Sequence, residues 1–182
     1  MLAKQGCQRN AKQSKKNYSA TFLFVGLLFS PLSHADEDIS SFDELSGGDN
    51  LASVSQVGDS HFATVSQQGL SNELYLSQSG FNNSLTASQQ GVGNELLLLQ
   101  SGSDIEASIV QIGYGNLVQA SQLGTALALD VTQNGYDNQA YIHQTGYENS
   151  VLIQQNGSGH VVGVAQWGSS QTAVITQGHT SN

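Results

Sequence analysis

Cysteine, proline and basic residues are nearly absent from this chain, and the few present are confined to its first segment. The 182 residues include one cysteine, Cys7, one proline, Pro31, and five lysines and arginines, all before residue 17. From Asp36 onward the chain has no fixed cation, while it keeps all 14 acidic residues. Disulfide stabilisation is excluded for this part of the chain. The missing cations argue against binding to nucleic acid or to an anionic membrane surface.

The first 35 residues have the three parts of an export signal. Basic residues lead to an apolar run over 21–29, and Ser33 and Ala35 supply the small residues of a cleavage motif. We predict a signal peptide over 1–35, with cleavage between Ala35 and Asp36. The apolar run is about half as long as a bilayer-spanning helix requires. The mature chain is therefore predicted to be secreted and to have no transmembrane segment.

A glutamine recurs every eleven residues without one insertion or deletion. It occupies twelve positions: Gln56, Gln67, Gln78, Gln89, Gln100, Gln111, Gln122, Gln133, Gln144, Gln155, Gln166 and Gln177. A glycine stands two residues after each one, from Gly58 to Gly168, and only the last unit differs, with His179 in that place. An unbroken period of this kind indicates a repeat architecture.

Each eleven-residue unit, numbered from position 1 at Asn50, alternates like a half-buried strand. Positions 3 and 5 are apolar in every unit, as Leu74 and Leu76 are, whereas positions 2, 4 and 6 are mixed and often polar. This period of two predicts a strand of about seven residues. The glycine at position 9, with the pair that follows it, is predicted to form the turn because glycine adopts positive φ without steric cost.

Asparagine at position 1 indicates that two units form one larger repeat, since five of the seven units that carry it alternate from the first. The predicted fold is all-β: a β-solenoid over residues 50–181, with six 22-residue coils of strand, turn, strand and turn stacked in parallel. Four small apolar side chains per coil cannot offset the entropic cost of ordering 22 residues. Stability is therefore predicted to come from stacking, and both end coils are expected to expose unpaired strand edges.

The inward asparagines at position 1 and glutamines at position 7 are expected to stack above copies of themselves. Their amides would pair in ladders like those of steric zippers, because such groups are costly to bury unpaired. Besides the twelve glutamines, the predicted amyloid ladder comprises Asn50, Asn72, Asn83, Asn94, Asn116, Asn138 and Asn149.

Acidic residues fall at outward strand positions or in turns. The residues that we interpret as gatekeepers, which would slow premature pairing of chains, are Glu73, Glu95, Asp104, Glu106, Asp137 and Glu148. The alternative is a generic solubilising face with no kinetic effect.

No group of residues indicates catalysis, a metal or a cofactor. His61, His143, His160 and His179 fall in different eleven-residue units, at positions 1, 6, 1 and 9, so no two of them are expected to converge on a metal ion. A solenoid lyase would ordinarily set Arg or Lys against an anionic transition state, and neither occurs after residue 16. No unit has a longer loop that could carry an active site. The chain is therefore predicted not to be an enzyme and to use no cofactor.

The doubled pattern N-x-A-x-I-x-Q-x-G-x-x resembles the curlin repeat of bacterial curli subunits, over residues 50–181. Asp43 to Ser46, ahead of the first unit, and Gly168 to Ile175, near the end, look most like the minor curlin subunit, the nucleator. The resemblance implies that residues 36–49 are a leader that directs export through an outer-membrane curli secretion pore with accessory proteins. It also implies assembly with itself and a major curlin subunit into a functional amyloid. That cell-surface fibre, a fimbrium, would support cell adhesion, single-species aggregation and biofilm formation.

Two alternatives remain open at this point. The chain could be the major curlin subunit that forms the bulk of the fibre. It could also belong to another class, as a monomeric β-solenoid binding module. An ice-binding module would want a repeated T-x-T face and a calcium-binding solenoid a G-G-x-G-x-D motif, and the sequence has neither.

Overall fold

The computed structural model describes residues 48–178. The predicted signal peptide and its cleavage position, most of the leader, and His179 lie outside the described residues, so the predicted division of the chain remains a prediction. Within the described range the chain forms twelve strands. They are β1 (Leu51–Asp59), β2 (Phe62–Leu70), β3 (Glu73–Phe81), β4 (Ser84–Val92), β5 (Glu95–Ser103), β6 (Glu106–Tyr114), β7 (Leu117–Thr125), β8 (Ala128–Tyr136), β9 (Gln139–Tyr147), β10 (Ser150–Ser158), β11 (Val161–Ser169) and β12 (Thr172–Gly178).

The strands form two parallel six-stranded sheets. The odd sheet runs in the order β1-β3-β5-β7-β9-β11 and the even sheet in the order β12-β10-β8-β6-β4-β2. Each residue pairs with the one 22 positions later, as Gln56 does with Gln78 in the odd sheet and Gln67 with Gln89 in the even sheet. One odd and one even strand therefore make one coil. The predicted all-β solenoid of six 22-residue coils is confirmed.

Alternation places positions 1, 3, 5 and 7 of every strand between the two sheets. Leu74, Leu96 and Leu98 are fully buried there, and outward neighbours such as Glu73 and Glu95 are exposed. The apolar residues of positions 3 and 5 form one continuous core along the solenoid. In the end strands the same rows are open, because a coil there has a neighbour on one side only: Val54 and Val65 are only partly buried.

The strands are longer than the sequence pattern predicts, and the chain reverses at a different place. Nearly all of them span nine residues, including the glycine at position 9. The reversal falls at positions 11 and 1, and all eleven residues at position 11 have φ between 53° and 68°, among them Ala126 and Glu148. Positions 9 and 10 stay in the strand because their backbones still pair with the next coil, as Gly102 does with Gly124.

The glycine at position 9 is required by contact as well as by backbone conformation. Gly113 has φ +122°, and a Cβ built on it would lie 1.9 Å from the carbonyl oxygen of Gly135 in the next coil. The same overlap recurs at the other position-9 glycines that have a described neighbour in the following coil. No side chain can occupy this column while the coils keep their spacing.

Candidate functional site: the amide ladders and the end coils

Two columns of glutamine amides run along the solenoid between the sheets, one on the inner face of each sheet. In the odd sheet the Nε2 of each glutamine from Gln56 to Gln144 donates to the Oε1 of the glutamine 22 residues later, at 2.7–3.1 Å. The even sheet repeats this from Gln67 to Gln155, at 2.7–3.0 Å. All ten bonds point from the earlier coil to the later one. Each column is therefore polar along its length.

The glutamines also join the two sheets. Gln111 Nε2 donates to the backbone carbonyls of Glu95, at 2.9 Å, and Asn116, at 3.0 Å. Glu95 begins β5 and Asn116 directly precedes β7, both strands of the odd sheet. Gln89 makes the equivalent contacts to Glu73 and Asn94. Among residues 48–178, every buried side-chain nitrogen and oxygen has a hydrogen-bond partner. The cost of burying these amides is thus offset by hydrogen bonds within the coil and, in the bonds to the next glutamine and to Asn116 or Asn94, by hydrogen bonds to the neighbouring coil.

One column of asparagines lies at the corner that precedes the odd strands. Asn72 Nδ2 donates to Asn50 Oδ1 at 3.0 Å, and Asn94, Asn116 and Asn138 each repeat the bond to the previous asparagine at 2.9–3.0 Å. Here the donor is in the later coil, so this column points opposite to the glutamine columns. The Nδ2 of Asn72 also reaches the carbonyl oxygen of Gly91, at 3.1 Å.

Asn83 and Asn149 depart from the predicted amide-to-amide pairing. They lie on the even side, where position 1 is occupied in turn by His61, Asn83, Ile105, Leu127, Asn149 and Gln171. No asparagine stacks on either of them in register, so their Oδ1 atoms accept from backbone N–H groups instead, Asn83 from Ile105 at 3.2 Å and Asn149 from Gln171 at 3.0 Å. For these two residues the predicted ladder is wrong, because coils pair every 22 residues and the residues 22 positions before and after them are not asparagines.

Position 1 has a second role that the sequence pattern did not reveal, which is to brace the corner. The Nδ2 of Asn83 donates to the carbonyl of Ser79, four residues earlier, at 2.9 Å. His61 and His160 place Nε2 at 3.0 and 3.1 Å from the carbonyls of Val57 and Asn156, also four residues earlier. These histidines therefore replace asparagine within the corner. The recurrence of polar residues at position 1 is the sequence feature that could have indicated this contact.

The six acidic residues interpreted as gatekeepers lie in two settings. Glu73, Glu95 and Glu106 are outward residues at the start of β3, β5 and β6, and Glu73 and Glu95 are register partners. Asp104, Asp137 and Glu148 occupy position 11, where φ is 54–56°. Asp104 accepts from Asn82 Nδ2 at 2.7 Å, and Glu148 accepts from Ser170 Oγ at 3.2 Å. The structure thus places none of these acids between the sheets.

Tyr75 lies on the outer face of the odd sheet beside this acidic pair, and its pKa is raised above the usual 10.0. The negative charge of Glu73 is the main cause, followed by burial, the Tyr75 hydroxyl's hydrogen bond to Glu73 and the charge of Glu95. Because the pKa is raised in the fold, the neutral phenol's contribution to stability is present below pH 10 and is lost as pH rises through the folded value.

We expect the phenolate absorbance of Tyr75, taken as the difference between the protein and its Tyr75→Phe variant, to appear at a higher pH than that of free tyrosine. Glu73→Gln should move that titration toward pH 10, because it removes the leading cause. Glu148→Gln is the matched control, since it contacts Tyr147 and not Tyr75. A Tyr75 titration equal in all three backgrounds would contradict the assignment.

The two end coils present opposite hydrogen-bonding groups. In the first coil the Oε1 atoms of Gln56 and Gln67 accept no hydrogen bond from the described residues. In the last coil the Oε1 atoms of Gln166 and Gln177 accept from the glutamines of the previous coil, Gln144 and Gln155. The Nε2 atoms of Gln166 and Gln177 donate to the carbonyls of Ser150 and Val161, both at 3.2 Å, and their second N–H groups have no described glutamine beyond them. In the two glutamine columns, the first coil therefore exposes acceptors and the last coil exposes donors.

Other kinds of site find no support in residues 48–178. No three His, Cys, Asp or Glu side chains within them come close enough together to hold a metal ion. The same stretch contains no helix with the length and apolar character to cross a bilayer. The predicted absence of catalytic, metal and cofactor sites remains a prediction from the sequence.

Comparison with known families assigns the repeat. The family model described as curlin associated repeat matches residues 47–80 and 124–153. The two segments begin seven units apart, in the same phase of the eleven-residue pattern. Neither a curated protein nor a solved structure matches the chain. Curlin repeats belong to self-assembling structural subunits of extracellular curli fibres and not to enzymes. With twelve units in one register and a parallel solenoid built from them, this chain carries the curlin repeat.

Proposed function

We propose that this chain is a subunit of an extracellular amyloid fibre of the curli type, which grows as copies stack end to end. The observation that carries the proposal is the polarity of the end coils. Gln56 and Gln67 offer acceptors at one end, and Gln166 and Gln177 offer donors at the other. A head-to-tail junction joins donors to acceptors, whereas like ends would set donor against donor or acceptor against acceptor.

The register of the odd sheet can continue across such a junction. With the 22-residue offset preserved, β1 of the next copy pairs with β11 and places its Gly58 opposite Gly168, which extends the glycine column. Asn50 of that copy stacks on His160 as Asn83 stacks on His61 within the chain, where the Asn83 N–H lies 3.3 Å from His61 Nδ1. The open apolar rows at Val54 and Val164 then close over one another.

Within this function, the nucleator role is the one we favour. A preformed end coil gives an incoming disordered chain a strand to pair with at once, so the first coil need not form unaided. The major curlin subunit would be the natural recipient, because a curlin end coil carries the same glutamine, asparagine and apolar rows. Export through the curli pore, display at the cell surface, and adhesion and biofilm formation follow from the family and are parts of the same proposal.

The acidic residues fit this role as gatekeepers. Glu73 and Glu95 place two carboxylates on neighbouring strands with no cation after residue 16 to neutralise them. Like charges directly opposite each other disfavour strand pairing, so the acids would delay association until the end coils template it.

The test is assembly from the unfolded state. The chain, diluted out of denaturant, should give a thioflavin signal and cross-β reflections near 4.8 and 10 Å. A small molar fraction of the assembled chain should shorten the lag of the major curlin subunit. A persistent soluble β-rich monomer would instead indicate a binding module. Abundant long fibres of this chain, with no effect on that lag, would make it the bulk subunit.

Substitutions in the end coils should slow this assembly selectively. Gln56→Ala removes an acceptor from one end and Gln166→Ala a donor from the other, and we expect each to lengthen the lag several-fold. Gln154→Ala is the matched control, because Gln154 is an exposed outward glutamine of β10. Equal lags for all three variants would contradict the end-coil mechanism.

A further inference from the structure

The outer faces of the two sheets differ in character. Eight large hydrophobic side chains are exposed on the outer face of the odd sheet, against three on that of the even sheet. Val57 of β1, 67 % exposed, and Trp167 of β11, 63 % exposed, are the most exposed of the eight. Exposed apolar surface concentrated on one face marks an interaction site in soluble proteins.

The outward residues of the odd strands follow an order that, in polar or apolar character, reads the same in both directions except at Tyr75 and Ser77 of β3. Within each odd strand, positions 2 and 8 are either both apolar or both polar. Leu51 and Val57 of β1 are both apolar, as are Val161 and Trp167 of β11. Leu117 and Leu123 of β7 match in the same way.

Positions 4 and 6 match in five of the six odd strands, as Leu97 and Leu99 do on β5 and Tyr141 and His143 on β9; on β3, Tyr75 has Ser77 as its counterpart. The acidic residue Glu95 has Ser101 as its counterpart, not a second acid. The even strands lack this symmetry, since Glu106 of β6 would be matched with Ile112.

A surface with this order is complementary to itself under a two-fold rotation about an axis parallel to the solenoid. Position 4 of one copy then faces position 6 of the other, and position 2 faces position 8, with each coil opposite the same coil. Leu117 meets Leu123 of the second copy, and Glu95 meets Ser101. We propose that the outer face of the odd sheet binds a second copy of this chain in this way, so that two solenoids lie side by side and point in the same direction.

Size and shape support a second copy as the occupant. The six strands lie about 4.8 Å apart, and the seven residues from position 2 to position 8 of each strand extend about 3.3 Å apiece. The outer face therefore measures roughly 550 Å² per chain. Two such faces exceed the roughly 1,000 Å² that a specific interface needs. A groove of about 470 Å³ runs along the middle of this face, between the Tyr141 and His143 columns, and opens at Gly163. It lies on the two-fold axis and gives the larger side chains room to interdigitate. The same patch used by both copies is the isologous contact of a closed pair.

Cross-linking between two variants tests the pairing directly. Gln119→Cys and Ser121→Cys place thiols at positions 4 and 6 of β7, each on a chain whose Cys7 is replaced by Ser. Facing sheets lie about 10 Å apart, too far for a disulfide, so a short bis-maleimide is the reagent. In assembled mixtures of the two variants we expect cross-linked dimers at least several-fold above those from either variant alone. A stacked copy of the same residue lies six coils away, so stacking cannot produce them.

The even sheet supplies the control, with Ser108→Cys and Val110→Cys at the equivalent positions of β6. Dimers at equal yield on both faces, or from single variants as readily as from the mixture, would overturn the proposal. Trp167→Asp provides a second measurement, because it sets a carboxylate against Val161 of the other copy. It should halve the mass per unit length of the fibres while leaving their cross-β reflections unchanged. An unchanged mass per length would also overturn the proposal.

Discussion

Gly113→Ala should abolish the solenoid under conditions in which the unchanged chain folds and assembles. The added Cβ would lie 1.9 Å from the carbonyl oxygen of Gly135, and the backbone at φ +122° is one that residues with a Cβ rarely adopt. Strain of this type costs about 1 to 3 kcal/mol before any overlap is counted. We expect a loss of at least about 3 kcal/mol, which corresponds to roughly a hundredfold rise in the soluble concentration left after assembly.

Gly163→Ala is the matched control for this variant. Gly163 lies at position 4 of β11, has no positive φ, and a Cβ built there would meet no atom within 4 Å. Its assembly and residual soluble concentration should stay close to those of the unchanged chain. A similar loss in both variants would mean that glycine content, and not the close approach of neighbouring coils, limits stability.

Gln89→Ala should be the second most damaging single change. Gln89 accepts from Gln67, donates to Gln111, and reaches the carbonyls of Glu73 and Asn94, all within a buried column. Alanine would leave the Oε1 of Gln111 buried without its donor and would remove one of several hydrogen bonds made by Gln67 Nε2 and by the carbonyl of Asn94. A buried group left unpaired costs about 1 to 3 kcal/mol, and the cavity at Gln89 adds to this. We expect a loss of about 3 to 5 kcal/mol in the free energy of unfolding, measured by denaturant titration of the folded chain.

The adjacent Gln90 is a control that differs in little but orientation. It points outward and makes a 3.3 Å contact with Gln68 in exposed surroundings. Gln90→Ala should change the free energy of unfolding by no more than about 0.5 kcal/mol. Comparable losses at the two positions would show that the buried ladder contributes no more than surface amides do.

The pattern of residues that alternate along each unit was sufficient to predict which side chains are buried. Apolar residues at positions 3 and 5 can leave water only if positions 1 and 7 turn inward with them, since successive side chains of a strand point to opposite faces. Gln78 and Asn72 are buried for that reason. The asparagine at alternate units likewise indicated the 22-residue coil, because a ladder needs identical residues one coil apart.

The position of the turn could not be predicted in the same way. At the eleven described residues of position 11, φ is 53–68°, and nine of them are Gly, Ser, Asn or Asp, the common residues of turns. Ala126 and Glu148 adopt the same conformation, so it is also imposed by the hydrogen bonds to neighbouring coils. Asp104 N–H, for example, donates to the carbonyl of Phe81 at 3.0 Å.

The sequence by itself determined the class of fold, the number of coils and the rows of amides that stack between them, because each follows from a local period that one strand can express. Only the tertiary structure decided the direction in which each amide column donates and the separate contacts of Asn83 and Asn149. Those depend on the 22-residue pairing that sorts alternate strands into two sheets. A hydrogen bond between coils has a direction that no single unit can encode, since it is set when one amide rotates to suit the next.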